Sequence, residues 1–372
     1  MTQRIRATID RNALSHNLAI ARQHARGGRV LAMIKANAYG HGLIAVANAL
    51  HDADAFGVTD IDEAEQLRTG GCDKPIVVLQ GLIDRNEIPR VALQDFQLFV
   101  PSLEHLAWLE EDLPKLPLVS PLTFWLKVDS GMGRLGIQPR DFAAACQRLQ
   151  AKPWCAQVII ITHFANASMP DSALNLTQLA CFTQLHEELR YVPHQTSMAA
   201  SSALLALHTH TSNVQADWAR PGIMLYGSSP FAWNDESRRR ESFGLKAVMT
   251  LEARLLQVTD HPAGANIGYC SQFICPRPMR VGIVACGYGD GYPSNTPNGA
   301  PVAICGRRSE TLGRVSMDML AIDLSAIPEA QPGMYAELWG KAVSIDEVAA
   351  HTGILSYNLA CSVAPRVPRL YI

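Results

Sequence analysis

The run VLAMIK at residues 30–35 breaks at once into ANAYGHG at 36–42, so an apolar stretch ends on a lysine and a glycine-bearing turn. Its apolar residues do not alternate with polar ones, which predicts a strand covered on both faces. Seven more runs follow: DAFGV (54–58), PIVVL (75–79), QLFV (97–100), FWLKV (124–128), VIIIT (158–162), a polar one at HQTSM (194–198), and ADWAR (216–220). Longer segments of helical period lie between them. Leu14, Leu18 and Ala21 share a face after Asp10, and Asp60-Ile61-Asp62-Glu63-Ala64 opens another helix with acids. Leu176, Leu179, Phe182, Leu185 and Leu189 recur behind Asp171 and Ser172, two residues able to cap orphan amides. Eight strand–helix units in series predict an N-terminal α/β domain, a TIM-type (β/α)8 barrel over residues 11–240.

The texture changes after NDESRRRES (234–242). LEARLLQV, VGIVAC, PVAIC and YAELW are strand-like and separated by Gly, Pro, Asn and Asp turns. This predicts a mainly β C-terminal domain over 241–372, while the run RIRATI (4–9) precedes the barrel and fits either domain.

Composition removes several function classes. A 372-residue chain with 48% apolar residues and a formal charge of −2 carries no basic stripe for nucleic acid or an anionic membrane. The start, MTQRIRATIDRNAL, has no apolar core, and no later run is long enough to span a bilayer, so a cytoplasmic address is expected. Nine cysteines, none in a CxxC pair, suit buried thiols better than disulfides, and no spacing suggests a metal site.

Chemistry-bearing residues gather at the ends of the predicted strands, where barrels carry their active sites. Lys35 stands there behind an apolar run; desolvation favours its neutral amine, a nucleophile able to form a Schiff base. A lysine reaching outward from a strand end is the alternative. Tyr39 follows beside Gly40 and Gly42, either as a phosphate donor or as an aromatic at the core edge. In KVDSGMGRLG, Gly131 and Gly133 let the chain turn back and bring Arg134, a fork for a carboxylate or phenolic oxygen, over the barrel mouth. Lys127 points inward beside it and needs neutralising, by Asp129 or by modification. His163 ends VIIIT, where its ring either stacks on a bound group or is a hydrogen-bonded core residue. Ser201 and the Gly222-Ile223 turn offer hydroxyl and amide donors at late strand exits, and Arg220 precedes that turn. In the second half, Tyr269, Tyr288 and the stretch Met317-Asp318 sit among glycine-rich turns.

Eight stretches in order resemble the bacterial alanine racemase family across nearly the whole chain: MIKANAYGHG, KVDSGMGRLG, THFA, RPGIMLYG, NIGYCSQF, CGYGDGYP, GRVSMDM and SYNLACSVAPRVPR. The resemblance implies the barrel-plus-β plan of the fold-type III enzymes, with residues 1–10 contributing a strand to the β domain, pyridoxal 5'-phosphate (PLP) as cofactor, and a small amino acid as substrate. It also implies a head-to-tail homodimer whose active sites are shared between subunits. Lys35 then matches the Schiff-base lysine and the proton carrier on the D-alanine side, and Tyr269 of the other subunit the opposing base. Tyr39, Ser201, Gly222, Ile223 and Tyr357 match the phosphate-binding set, Arg220 the arginine at the pyridine nitrogen, and His163 the histidine near the ring. Arg134 and the Met317 amide match the substrate-carboxylate contacts, and Tyr288 narrows the entrance. Lys127 matches a position that is carbamylated in many relatives, which would turn its cation into an anion beside Arg134.

The implied chemistry is coherent. Two bases on opposite faces exchange one Cα proton. A phenol ionises near pH 10, so a tyrosine base needs cationic or hydrogen-bonding help. A guanidinium gives up no proton, so Arg220 would leave the pyridine nitrogen unprotonated. There are departures: Ala200 stands where many relatives have asparagine, Ser197 where they have histidine, Cys270 for glycine and Ser316 for cysteine. Three other readings stay open: a serine or broader-specificity racemase, a fold-III decarboxylase, and a PLP-binding protein without turnover.

Overall fold

The computed structural model describes residues 3–207 and 216–372. Its contacts separate two units, Leu18–Ala38 with Val46–Leu225, and Met1–Asn17 with Tyr39–Ala45 and Tyr226–Ile372. Strands are numbered along the chain, β1 being Ile5–Ile9.

The first unit is a closed parallel barrel of eight strands. They are β2 (Arg29–Met33), β3 (Ala55–Val58), β4 (Ile76–Val78), β5 (Gln97–Val100), β6 (Leu122–Lys127), β7 (Cys155–Ile161), β8 (Gln195–Ala200) and β9 (Trp218–Arg220). β9 closes on β2 through Arg29↔Trp218 and Val30↔Ala219. Each predicted run overlaps its strand, although β2, β6 and β7 begin before their runs and β8 ends after its own, and the burial of both faces of β3 and β4 explains why alternation is lost. The polar β8 survives because its hydroxyls find partners: Thr196 Oγ1 donates to Asp217 and Ser197 Oγ to the Trp218 carbonyl.

The helices obey their start signals unevenly. Asp60 caps Ile61–Thr69 by accepting from the Glu63 amide, and Asp10 accepts from the Ala13 amide beneath Arg11–Ala25. The helix Ala173–Glu188 differs from expectation: Ser172 occupies its N-cap without a capping bond to a helix amide, and Leu176 is exposed while Asn175 and Gln178 are buried. Two polar residues three apart therefore face inward where the leucine series predicted an apolar stripe. Lys35 is also displaced from its expected place, since β2 stops at Met33 and Lys35 opens the following turn.

The second unit is an eight-stranded sheet in the order β13-β16-β15-β14-β17-β10-β1-β18, and β13 also pairs with β10, so six of these strands form a ring. The members are β10 (Met249–His261), β13 (Met279–Val284), β14 (Pro301–Ile304), β15 (Arg307–Leu312), β16 (Leu320–Asp323), β17 (Tyr335–Trp339) and β18 (Arg369–Tyr371). β1 runs antiparallel to β10 and parallel to β18. The first half of β10 alternates buried and half-buried residues, as a strand with one covered face should. A small hairpin of β11 (Asn266–Ile267) and β12 (Phe273–Ile274) carries Tyr269 in its loop, where Cys270 and Ser271 have φ of +59° and +48°. Among the described residues, no helix is long and apolar enough to cross a membrane.

Candidate active site

In the barrel unit, four predicted residues, Lys35, Lys127, Arg134 and Arg220, lie within electrostatic reach of a fifth, His163. The His163 ring is pulled down to about 3 by burial first and then by the charges of Arg220, Arg134, Lys127 and Lys35, so it is neutral at any ordinary pH. Arg220 is almost fully buried. It donates to Ser197 Oγ at 2.5 Å, to the Thr162 carbonyl at 2.6 Å and to the Met198 carbonyl at 3.2 Å. Burial alone lowers it to about 9, which leaves it cationic at neutral pH. Ser197, which stands where many relatives have histidine, holds this arginine.

Lys127 is buried, and its Nζ donates to the Leu135 carbonyl at 2.5 Å. Burial, Arg134 and Arg220 lower it to about 8, against an opposing pull from Asp129. Asp129 has other work as well. Its Oδ1 accepts from the amides of Gly131, Met132 and Gly133 at 3.1, 2.9 and 3.0 Å, forming the loop that presents Arg134. Burial pushes this carboxyl up, but the three amides and Lys127 outweigh it and hold it below its ordinary value. The cluster thus carries more positive than negative charge, and an anionic ligand would balance it.

Two residues here escaped the sequence reading. Gln178 accepts from the Ala165 amide at 2.9 Å and donates to the His163 carbonyl at 2.9 Å and Ser130 Oγ at 3.3 Å, so it fixes the backbone that carries His163. Its signal was the Asn175/Gln178 spacing, masked by the leucines around it. Glu63 accepts from the Asn37 amide at 3.0 Å and the Thr59 amide at 2.9 Å. It thereby ties the turn after Lys35 to the exit of β3.

That turn is strained. Ala36, Asn37, Ala38 and Tyr39 all have φ between +51° and +54°, a left-handed turn built without glycine. Such a residue costs roughly 1–2 kcal/mol relative to the right-handed form. Ala36→Gly is therefore expected to stabilise the protein by about 0.5–1 kcal/mol, glycine's larger unfolded-state entropy offsetting part of the relief. Glu63→Ala should destabilise it by about 1–2 kcal/mol through two lost charge-assisted bonds. Urea denaturation checks both, and a lower midpoint for Ala36→Gly would refute the strain.

Ser201, the first residue of the helix Ser201–Ala206, is buried and accepts from the amides of Gly222 and Met224 at 2.9 and 3.4 Å. Gly222 and buried Ile223 begin the turn after Arg220. In the second unit, Tyr39 stacks on Tyr226 at 4.7 Å between ring centroids and lies 6.1 Å from Tyr357. Burial pushes the Tyr39 and Tyr357 phenols well above their ordinary range, so both remain protonated donors. Tyr269, Tyr288 and Met317 belong to the same unit and are 66%, 45% and 55% exposed.

The barrel-unit residues fit pyridoxal phosphate as a donor set. An amine follows a strand end, a buried cation and a neutral imidazole lie in the same cluster, and the Ser201 hydroxyl and the backbone N–H groups of the turn after Arg220 suit a phosphate.

Comparison with known proteins agrees over the full length. Residues 9–230 match the family model described as alanine racemase, N-terminal domain, and 248–371 the one described as alanine racemase, C-terminal domain. The chain is 44% identical over 368 residues to the alanine racemase of Pseudomonas taetrolens, covering 99% of this chain and 98% of that one. It is 43% identical over 368 residues to the catabolic alanine racemase of Pseudomonas putida, with the same coverage. Among solved structures, the biosynthetic alanine racemase from Pseudomonas aeruginosa superposes with a TM-score of 0.91 at 40% identity, over 100% of this chain and 99% of that one. The Bartonella henselae alanine racemase with covalently bound pyridoxal phosphate gives 0.86 at 28% identity, over 100% of both chains. Strand order, the strand-end cluster and two family models spanning both halves lead to one conclusion: this chain belongs to the alanine racemase family.

Proposed function

We propose that this protein interconverts L-alanine and D-alanine with pyridoxal 5'-phosphate, using Lys35 and Tyr269 as the two bases. The observation that carries the reading is the excess of positive charge around neutral His163 at the strand ends, beside an amine on a strained turn. Such a basin attracts a phosphate ester and an amino-acid carboxylate.

Residues 11–240, with Tyr357 from beyond them, would hold the cofactor. Lys35 would hold it covalently, Ser201, Gly222, Ile223, Tyr39 and Tyr357 its phosphate, and Arg220 its ring nitrogen, with His163 near the ring. When bound, the cofactor supplies the electron sink that acidifies the substrate Cα–H bond. Arg134 and the Met317 amide orient the substrate carboxylate, and Tyr288 limits the space beside it. The Lys35 amine takes or returns the proton on one face of Cα, and the Tyr269 hydroxyl serves the other. Lys127, lowered to about 8, has enough neutral amine near neutral pH to take up carbon dioxide as a carbamate, an anion that would orient Arg134. The exposure of Tyr269, Tyr288 and Met317 on the 241–372 half supports a homodimer in which they complete the partner's site.

The test is Cα exchange in deuterated water with added cofactor and each alanine enantiomer, following chirality at the same time. Exchange with convergence on the racemate is the expected result. Exchange or decarboxylation with another amino acid, and none with alanine, would overturn the substrate.

A further inference from the structure

Asp290 is fully buried in the turn Tyr288–Asp290, and its carboxyl group has four donors around it. Arg4 grips it through both terminal nitrogens, Nη1 to Oδ2 at 3.1 Å and Nη2 to Oδ1 at 2.5 Å. Arg366 Nε lies 2.9 Å from Oδ1, and the Gly287 amide donates to Oδ2 at 3.1 Å. Arg366 continues to Asp318 at 2.7 Å, the residue after Met317. Two backbone bonds join the same loops: the Tyr288 amide donates to the Ser316 carbonyl at 3.0 Å and the Gly289 amide to the Met317 carbonyl at 2.8 Å. There is no slack between them. A Cβ at Gly287 would meet the Ser316 carbonyl oxygen at 2.2 Å, and one at Gly289 would meet an Arg366 nitrogen at 2.6 Å.

Burying a charged network is a poor way to gain stability, because well-packed apolar side chains of similar volume often do as well. What this network adds is direction. It joins the residue before the first strand, the C-terminal segment and two turns whose tips, Tyr288 and Met317, remain exposed. We propose that Asp290, acting through Arg366 and Asp318, is a positioning residue that fixes the Tyr288 ring against the Met317 amide and so sets the room for the substrate side chain. The inference rests on the function proposed above. It assigns discrimination between alanine and the larger serine to a carboxylate that touches neither.

The experiment compares wild type with Asp290→Asn, Arg366→Lys and Asp318→Asn, the last at a half-exposed position that leaves the buried carboxylate in place. It measures kcat and KM for alanine and serine, and inhibition by propionate, which keeps alanine's carboxylate and methyl group but has no amine. The expected result is a fall of about fivefold or more in the alanine-to-serine ratio of kcat/KM, within the range that one small group commands. KM and the propionate inhibition constant should rise by more than kcat falls, with Asp318→Asn showing the smallest change. If Asp290→Asn fails to fold, the other two variants decide. An unmoved ratio and propionate constant in those two would overturn the positioning role alone, as would losses in kcat that merely follow the melting temperature. Wild-type protein that turns over neither amino acid would overturn the functional reading and this inference with it.

Discussion

Lys35→Ala protein is expected to turn over either alanine enantiomer at no more than about one thousandth of the wild-type rate, because one amine both holds the cofactor and carries a proton. Another lysine nearby, Lys127, is no substitute: its Nζ is bound to the Leu135 carbonyl beneath the Arg134 loop. The same substitution should make the cofactor removable by dialysis and abolish the visible absorption of a lysine-bound form. That readout is independent of turnover. The strained turn gives a reason for the expected size of the effect, since four consecutive left-handed residues start beside Lys35 and leave its backbone little freedom to adjust. Activity within about tenfold of wild type would show that the attachment lies elsewhere. Lys127 would then be the residue to replace.

Tyr269→Phe is expected to lower racemisation by about 10²- to 10⁴-fold, the usual contribution of a positioned acid–base group. The loss should be asymmetric. The phenylalanine ring keeps the shape of the hairpin loop but has no hydroxyl, so the face served by Lys35 should still exchange the D-alanine Cα proton with deuterium, with retention. Equal suppression of exchange from both enantiomers would remove Tyr269 from its role as a base. The shared site has its own test. Subunits of Lys35→Ala and Tyr269→Phe, each inactive alone, should recover about a quarter of wild-type activity when mixed and exchanged, because half the dimers are mixed and each has one intact site. No recovery, despite demonstrated subunit exchange, would place Lys35 and Tyr269 of one chain in the same site.

The barrel strands were legible because burial on both faces leaves apolar runs that one dimension records. VIIIT needed nothing but its own residues, and HQTSM owed its place in the series to its neighbours. Its hydroxyls looked like a loop until the Trp218 carbonyl, Arg220 and Asp217 were seen beside them. The helix behind β7 was legible in its length but not in its inward face. Its leucines set the period, whereas the residues that reach the His163 backbone and the loop below it are Gln178 and Asn175.

Among the candidate site residues, the sequence identified side chains better than it identified their relations. Lys127 was known to need a counter-charge, from Asp129 or from a modification. In three dimensions that carboxylate also gathers three amides, so it serves the loop as well as the lysine. The left-handed turn after Lys35 left no trace, because its residues are alanine, asparagine and tyrosine, and positive φ is read from glycine.

By itself, then, the sequence determined the order of the strands, the change from barrel to sheet and the family to which the chain belongs. These follow from burial patterns and short motifs within reach of one another along the chain. Tertiary structure alone decided the charge balance around His163, the grip of Ser197 and the Thr162 carbonyl on Arg220, and the Asp290 clamp. Their partners lie 23, 58 and 286 residues apart. The strength of a buried charge or hydrogen bond depends on distance, angle and exclusion of water, and spacing along the chain carries none of these.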